Sequence, residues 1–375
     1  MSASKYDAAE SNQPRSIDAS TQAAMAAGYD EFLDDEPPPA ENQTDRLHWR
    51  EENPAESLSD WNIEIVHHQA PAAVATAIRK NEKSVLSSIA GKEEEVITKT
   101  YHVHKVILAK GPRRSEYFFR LFRDGGRFFE SKTATSRIDL VEIAAKAFPQ
   151  LLDYMYSIDG NLEITTENAT ALFWLGQYFE IRRLRWDALQ FCIKDMSAQT
   201  SGTYYEHAFL EQNHKILGMA SKFCAEHILE IDTTSRLLHV PDPEFWHNVL
   251  HNRTTTDDFS RHMSKLIAVF CRNNKNDSND VIDATVFANL TQAKYLPHID
   301  SQAALALIDL EREIICPDTH SLSNLQKRCL DALSRNWGGL DASNEETLTV
   351  LQKQNSFLLS SILLKAVGSL VERRK

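Results

Sequence analysis

Histidines are the first residues to test for chemistry, because an imidazole ligates metals and moves protons near neutral pH. His247 and His251 stand four apart in an apolar stretch that reads as a helix, so they share one helix face, as metal-ligand pairs do. No third ligand follows at a recognisable spacing, and two exposed polar residues flanking a core helix is the plainer reading. His102 and His104 are two apart in an alternating segment and share a strand face, either as ligands or as structural residues at a strand–helix corner. Residues 101–137 hold nine Lys and Arg against three acids, charge that a phosphate or RNA surface would use. There is no glycine-rich RNA motif, however. The aromatics there, Tyr117, Phe118 and Phe122 among them, recur at helical spacing, which points to core packing and a solvated basic face. No P-loop, no GxGxxG after a strand, no GxSxG and no HExxH is present, so the reading is a protein that is not an enzyme and takes no cofactor or metal.

Composition narrows the class further. A chain of 375 residues with 42% hydrophobic content has the material for two or three domains. The formal charge of −12 is concentrated at the N-terminus, where residues 1–58 hold 13 Asp and Glu against 4 Lys and Arg. The remainder is close to neutral, so charge does not announce a nucleic-acid binder. Cys192, Cys224, Cys271, Cys316 and Cys329 are far apart and odd in number. That argues against a disulfide framework or a zinc knuckle and for a reduced cytoplasmic or nuclear setting. No basic start with an apolar core marks a signal peptide, and no apolar run reaches the ~18 residues of a membrane span.

Residues 1–57 are rich in Ala, Ser, Asp and Glu and include Asp34-Asp-Glu-Pro-Pro-Pro39. Such a segment buries too little apolar surface to offset its ordering entropy and is expected to be a disordered acidic leader; an acidic protein-binding tail is the sharper alternative. From Asp60 to Val66 apolar and polar residues alternate, with Trp61, Ile63 and Ile65 on one face of a half-buried strand. A second strand is expected around Thr98–Lys105 and a third around Ser136–Leu140. Between them the apolar Val106-Ile-Leu-Ala109 and aromatic Tyr117-Phe-Phe-Arg-Leu-Phe122 runs read as helical. Helical patterns follow over residues 144–156, 166–179 and 181–196, with Thr165 or Thr166 as the N-cap of the second. Beyond Tyr204 only helical patterns appear, over 207–229, after the prolines of 237–250, and over 262–270, 286–296, 301–315, 322–337 and 345–371. A polar turn is read at 273–280, and the whole suggests an antiparallel array.

This order carries a resemblance. His104-Lys-Val-Ile-Leu-Ala109 with Ser115-Glu-Tyr-Phe118 resembles the first strand–helix element of a BTB (POZ) domain. Phe148-Pro-Gln-Leu-Leu-Asp-Tyr-Met-Tyr156 resembles that family's helix with paired tyrosines, and Leu162 to Asn168 with Leu172, Phe179 and Leu184 resembles its closing helical pair. Ser59-Asp-Trp-Asn-Ile-Glu-Ile65 fits the family's first strand. The resemblance implies an α+β fold: a BTB domain over 58–200, interrupted by an insertion at about 67–96 that departs from the family pattern, followed by an all-α array. Leu-Leu-x-Val-x-Asp-x-x-Phe at 237–245 resembles a BACK domain, expected over 201–299, with a further helical region over 300–375.

The resemblance also implies roles. His104, Leu108, Tyr154 and Tyr156 become structural positions, and Asp60, Trp61, Ile63 and Ile65 lie near a dimer edge. In BTB adaptors of cullin-based ubiquitin ligases a hydrophobic–any–Glu triplet contacts the cullin, and Phe128-Phe129-Glu130 has its form and place; either phenylalanine folding back into the core is the alternative. The implied function is a substrate adaptor that pairs with itself, docks a cullin and recruits an unidentified protein substrate through its C-terminal helices. The rival is an oligomerising scaffold for cytoskeletal, channel or transcriptional partners. Neither reading includes nucleic acid or membrane.

Overall fold

Alternation builds the sheet. Strand β1 (Trp61–His68) buries Trp61, Ile63 and Ile65, while Asn62 and Glu64 point the other way. It pairs antiparallel with β2 (Val96–Val103), Ile63 opposite Tyr101, and parallel with β3 (Thr135–Asp139), Ile63 opposite Ser136. The order is β2-β1-β3, so β1 is the middle strand. The Trp61 indole donates to Ser136 Oγ at 3.1 Å, which lets a buried indole N–H keep a partner. The computed structural model describes residues 47, 49–50, 58–68, 96–123, 130–157, 159–275, 281–315, 322–335, 360 and 364.

Three helices connect β2 to β3: α1 (Lys105–Lys110), α2 (Glu116–Arg123) and α3 (Glu130–Thr133). Beyond the sheet come α4 (Glu142–Tyr156), α5 (Ala169–Tyr178) and α6 (Arg182–Asp195). On α4 the apolar positions Ala144, Phe148, Leu151, Leu152 and Met155 fall at helical spacing and are fully buried. Phe148 joins Tyr101 on the sheet to Phe179 after α5, at ring distances of 5.1 and 5.8 Å. Phe118 stacks on Phe179 at 5.3 Å, so one aromatic cluster links α2, α4 and the end of α5. Each such ring contributes about 1.5–3 kcal/mol on burial.

The array continues with α7 (Ser201–Leu210), α8 (His214–Glu226), α9 (Pro243–His251), α10 (Asp257–Asn274), α11 (Ala284–Leu290), α12 (Ser301–Ile314) and α13 (Asn324–Arg335). It is joined to the sheet-bearing half by a polar seam, where Tyr204 donates to Asp195 Oδ2 at 2.7 Å. The α+β architecture with a following helical array is therefore as expected. Several boundaries move. The helix expected from His207 starts at Ser201, because Gly202 lets the backbone pass against the Ser235–Leu237 turn; a Cβ there would lie 2.4 Å from Ser235 Oγ. Asn273 and Asn274 extend α10 instead of forming a turn, Asn274 Nδ2 donating to Leu238 O and Phe270 O at 2.9 Å each. The pattern over 286–296 stops as a helix at Leu290. The helix expected from Thr165 or Thr166 starts at Ala169, since the Thr166 hydroxyl is engaged with Asp195 Oδ2 and Asn168 Oδ1 reaches back to Thr165 N. Most of the pattern over 345–371, of the insertion and of the leader lies outside the described residues, but Trp49 and Arg50 of the leader are seated on α4. Trp49 Nε1 and Arg50 Nη2 donate to the Asp153 carboxylate at 3.1 and 2.7 Å, and the Trp49 ring meets Tyr101 at 5.6 Å.

Candidate partner-binding surface

Glu130 opens α3 directly ahead of β3, half-buried and within electrostatic reach of Tyr117 on α2 and Tyr178 on α5. Its carboxylate lies near two phenols. Burial pushes Tyr117 up to about 12, with neighbouring Tyr178 and Glu130 adding to the rise. Tyr178 is raised by burial first, then by Asp139 and Glu130. Both phenols are therefore neutral hydrogen-bonding groups near neutral pH. Tyr117 and Tyr178 rings lie 5.8 Å apart, and Trp174 stacks on Tyr178 at 5.2 Å. Tyr178 remains 39% exposed, so the patch presents an aromatic surface next to a carboxylate. Phe128 and Phe129 lie outside the described residues. Sequence reasoning missed Tyr117, Trp174 and Tyr178 as surface residues, because their helical spacing was the same core signal that Phe118 gives.

The other candidates take structural places. Trp61, Ile63 and Ile65, expected near an edge, lie on the middle strand and face the protomer's own core, at most 3% exposed; the reason is that β3 pairs on the far side of β1 from β2. Asp60 Oδ1 accepts from Lys105 N at 2.8 Å and so anchors the start of α1 to β1. His104 leaves the strand face expected for it: β2 ends at Val103 and His104 precedes α1. The Tyr156 hydroxyl accepts from His104 N at 2.8 Å and lies within hydrogen-bond distance of His104 Nδ1 at 2.9 Å. Leu108 is wholly buried, and Tyr154 is 2% exposed with the Arg113 guanidinium over its ring.

His247 and His251 are exposed, with rings 6.0 Å apart, and His251 Nδ1 lies 3.4 Å from Tyr295 Oη. Among the described residues no group of three or more His, Cys, Asp or Glu is placed to hold a metal ion. Of the described basic residues of 101–137, Lys105 lies over the Trp61 ring, Arg113 donates to Ser157 O, and Arg114 and Arg120 pair with Glu116 and Glu180, while Lys110 and Arg137 are exposed. Four of the five cysteines, Cys192, Cys224, Cys271 and Cys329, are buried free thiols. Among the described residues no helix is long and apolar enough to cross a membrane.

Residues 90–196 match the family model of the BTB/POZ domain, and this part of the chain is a BTB/POZ domain. The matched stretch begins after β1, yet β1 supplies the middle strand of its sheet. No curated protein matches the chain.

Proposed function

We propose that this BTB/POZ protein is a non-catalytic scaffold that works as a substrate adaptor of a cullin-based ubiquitin ligase. BTB domains in general mediate self-association and protein interaction, and the coarser role of interaction scaffold follows from the domain itself. The finer role is supported by one observation: Glu130, the acid of the Phe128-Phe129-Glu130 triplet, lies within electrostatic reach of Tyr117 and Tyr178, whose rings form a patch with Trp174. A partly exposed aromatic group next to a carboxylate is the composition of an interface hot spot. In this reading the C-terminal helices, BACK-like over 201–299, recruit the substrate, and self-pairing provides two substrate arms and two ligase arms, raising avidity. Because β1 is interior, self-pairing uses other surfaces; Val96 and Ile97 on the outer strand β2 are 48% and 37% exposed.

The test is recovery of a purified cullin N-terminal domain by the full-length protein, wild type against Phe128→Ala/Glu130→Ala and against Tyr178→Ala, with circular dichroism to check folding. Both variants are expected to weaken recovery at least about tenfold, the scale of a lost hot spot. Equal recovery by all three proteins, or no recovery by wild type, removes the ligase role and leaves the oligomerising scaffold.

A further inference from the structure

We infer that Asp153 on α4 and Tyr101 on β2 form a docking seat for a Trp-Arg segment of a partner protein, and that the chain's own Trp49-Arg50 fills the seat until that partner displaces it. The present occupant defines the chemistry. Trp49 Nε1 donates to Asp153 Oδ1 at 3.1 Å, Arg50 Nε donates to the same oxygen at 3.2 Å, and Arg50 Nη2 donates to Oδ2 at 2.7 Å. One carboxylate thus receives an indole N–H and a forked guanidinium from two adjacent residues. The Arg50 guanidinium also lies over the Trp49 ring at 5.3 Å, so the two side chains present themselves as a unit. The Trp49 ring meets Tyr101 edge-on at 5.6 Å, and Phe148 backs Tyr101 at 5.1 Å, so the core holds the apolar floor of the seat in place.

The occupant is attached by its side chains. Among the described residues no main-chain hydrogen bond joins residues 47–50 to the sheet or to α4. Trp49 is half-buried and the Arg50 side chain is 68% exposed, and exposed ion pairs hold weakly, so the pair can be displaced. Among the described residues Trp49 and Arg50 are also the whole set of partners of the Asp153 carboxylate. Lys99 lies over the Tyr101 ring at 5.2 Å and makes no ion pair with Asp153. Once the leader lifts away, the seat is an unpaired acid beside an uncovered aromatic ring, which selects a cation and an aromatic group together. Lys brings a point charge without a fork and Phe has no N–H for Oδ1, so Trp-Arg fits better than Phe-Lys. A carboxylate at the centre of the seat repels nucleic acid. Carried on the same chain, Trp49-Arg50 competes at an effective concentration of about 1 mM, so a free peptide with a Kd of about 100 µM binds about tenfold more weakly while the leader is seated. The seat uses α4 and β2 and is independent of the Glu130 surface on which the ligase reading rests.

The experiment uses the full-length protein and fluorescence anisotropy with a fluorescein-labelled peptide of residues 44–54, which carries the Trp-Arg pair. Control peptides carry Ala-Ala or Phe-Lys in place of that pair. Trp49→Ala/Arg50→Ala vacates the seat, and Asp153→Ala added to it removes the acid; circular dichroism checks that each protein is folded. The vacated variant is expected to bind the peptide about tenfold tighter than wild type does. It should bind the Phe-Lys peptide more weakly than the Trp-Arg peptide and the Ala-Ala peptide not at all, and addition of Asp153→Ala should abolish binding. No binding by the vacated variant, equal binding by wild type, equal affinity for either control peptide, or binding that survives Asp153→Ala overturns the inference. Light scattering distinguishes a partner from a second copy of this chain. An unchanged mass on Trp49→Ala/Arg50→Ala keeps the leader on its own protomer, as inferred. A lower mass would place each leader in the seat of a second copy and overturn the assignment to a partner protein.

Discussion

Helices begin differently in the two halves of this protein. In the C-terminal array the cap is local: Asn213, Asp242, Thr256, Asp283 and Asp300 each accept a hydrogen bond from a backbone N–H in the first turn that follows. Ser323 does the same for Gln326 N ahead of α13. In the BTB half His104, Val141, Asn168 and Ile181 make no such side-chain bond at the starts of α1, α4, α5 and α6. The start of α1 is instead held from afar, by Asp60 through Lys105 N and by Tyr156 through His104 N. Apart from α7, whose Thr200 makes no such bond, the array thus encodes its helix starts in neighbouring residues; in the BTB half α2 does so through Ser115 Oγ and Phe118 N, while α1 depends on contacts that exist only after the sheet and α4 have come together.

The strongest way to break this comparison is to remove its long-range centre. Phe148→Ala empties the ring position between Tyr101 and Phe179 and is expected to cost about 3–5 kcal/mol in urea unfolding. The cost should fall on the BTB half: probes on α1 and α4 should lose protection first, and a uniform loss across α9 to α12 would mean that the two halves do not differ.

A second test addresses the seam. Glu211 follows α7, is 4% exposed, and neither carboxylate oxygen has a hydrogen-bond partner among the described residues. Burial pushes it up to about 8 from an ordinary 4.5. Between those values the folded state holds a proton that the unfolded state has released, so stability falls as pH rises from 4.5 through 8 and is level above. Glu211→Gln should remove this dependence and stabilise the protein at pH 8.5 by a few kcal/mol, at most about 5. Parallel pH profiles for wild type and variant in urea unfolding would show that Glu211 does not contribute it.

The smallest effects sharpen the contrast. Asp283→Ala and Asp60→Ala should each cost about 1 kcal/mol, the usual value of a lost cap. They should differ in reach. Hydrogen exchange should quicken only within α11 for Asp283→Ala, but in both β1 and α1 for Asp60→Ala, because that carboxylate joins two elements distant in sequence. Confinement of the Asp60→Ala change to α1 would make its cap as local as those of the array.

The same contrast explains what could be read in advance. Alternation at Trp61, Ile63 and Ile65 revealed a strand, and helical spacing at Phe148, Leu152 and Met155 revealed α4, because each pattern repeats within its own element. Ser201 and Ala169 as helix starts were not legible. A glycine-bearing segment packed on Ser235 and a threonine drawn to Asp195 both answer to distant partners. For the candidate surface, a short motif singled out Glu130 and no motif singled out Tyr117 or Tyr178.

By itself the sequence determined which segments are strand or helix and which side of each is apolar, since those depend on spacing within a few residues. Only the tertiary structure decided that β1 lies in the middle of its sheet, that Glu130 lies within electrostatic reach of Tyr117 and Tyr178, and that Trp49 and Arg50 meet on Asp153. Strand order and the meeting of distant side chains are set by how elements pack, and residue spacing along one element carries no record of its neighbour.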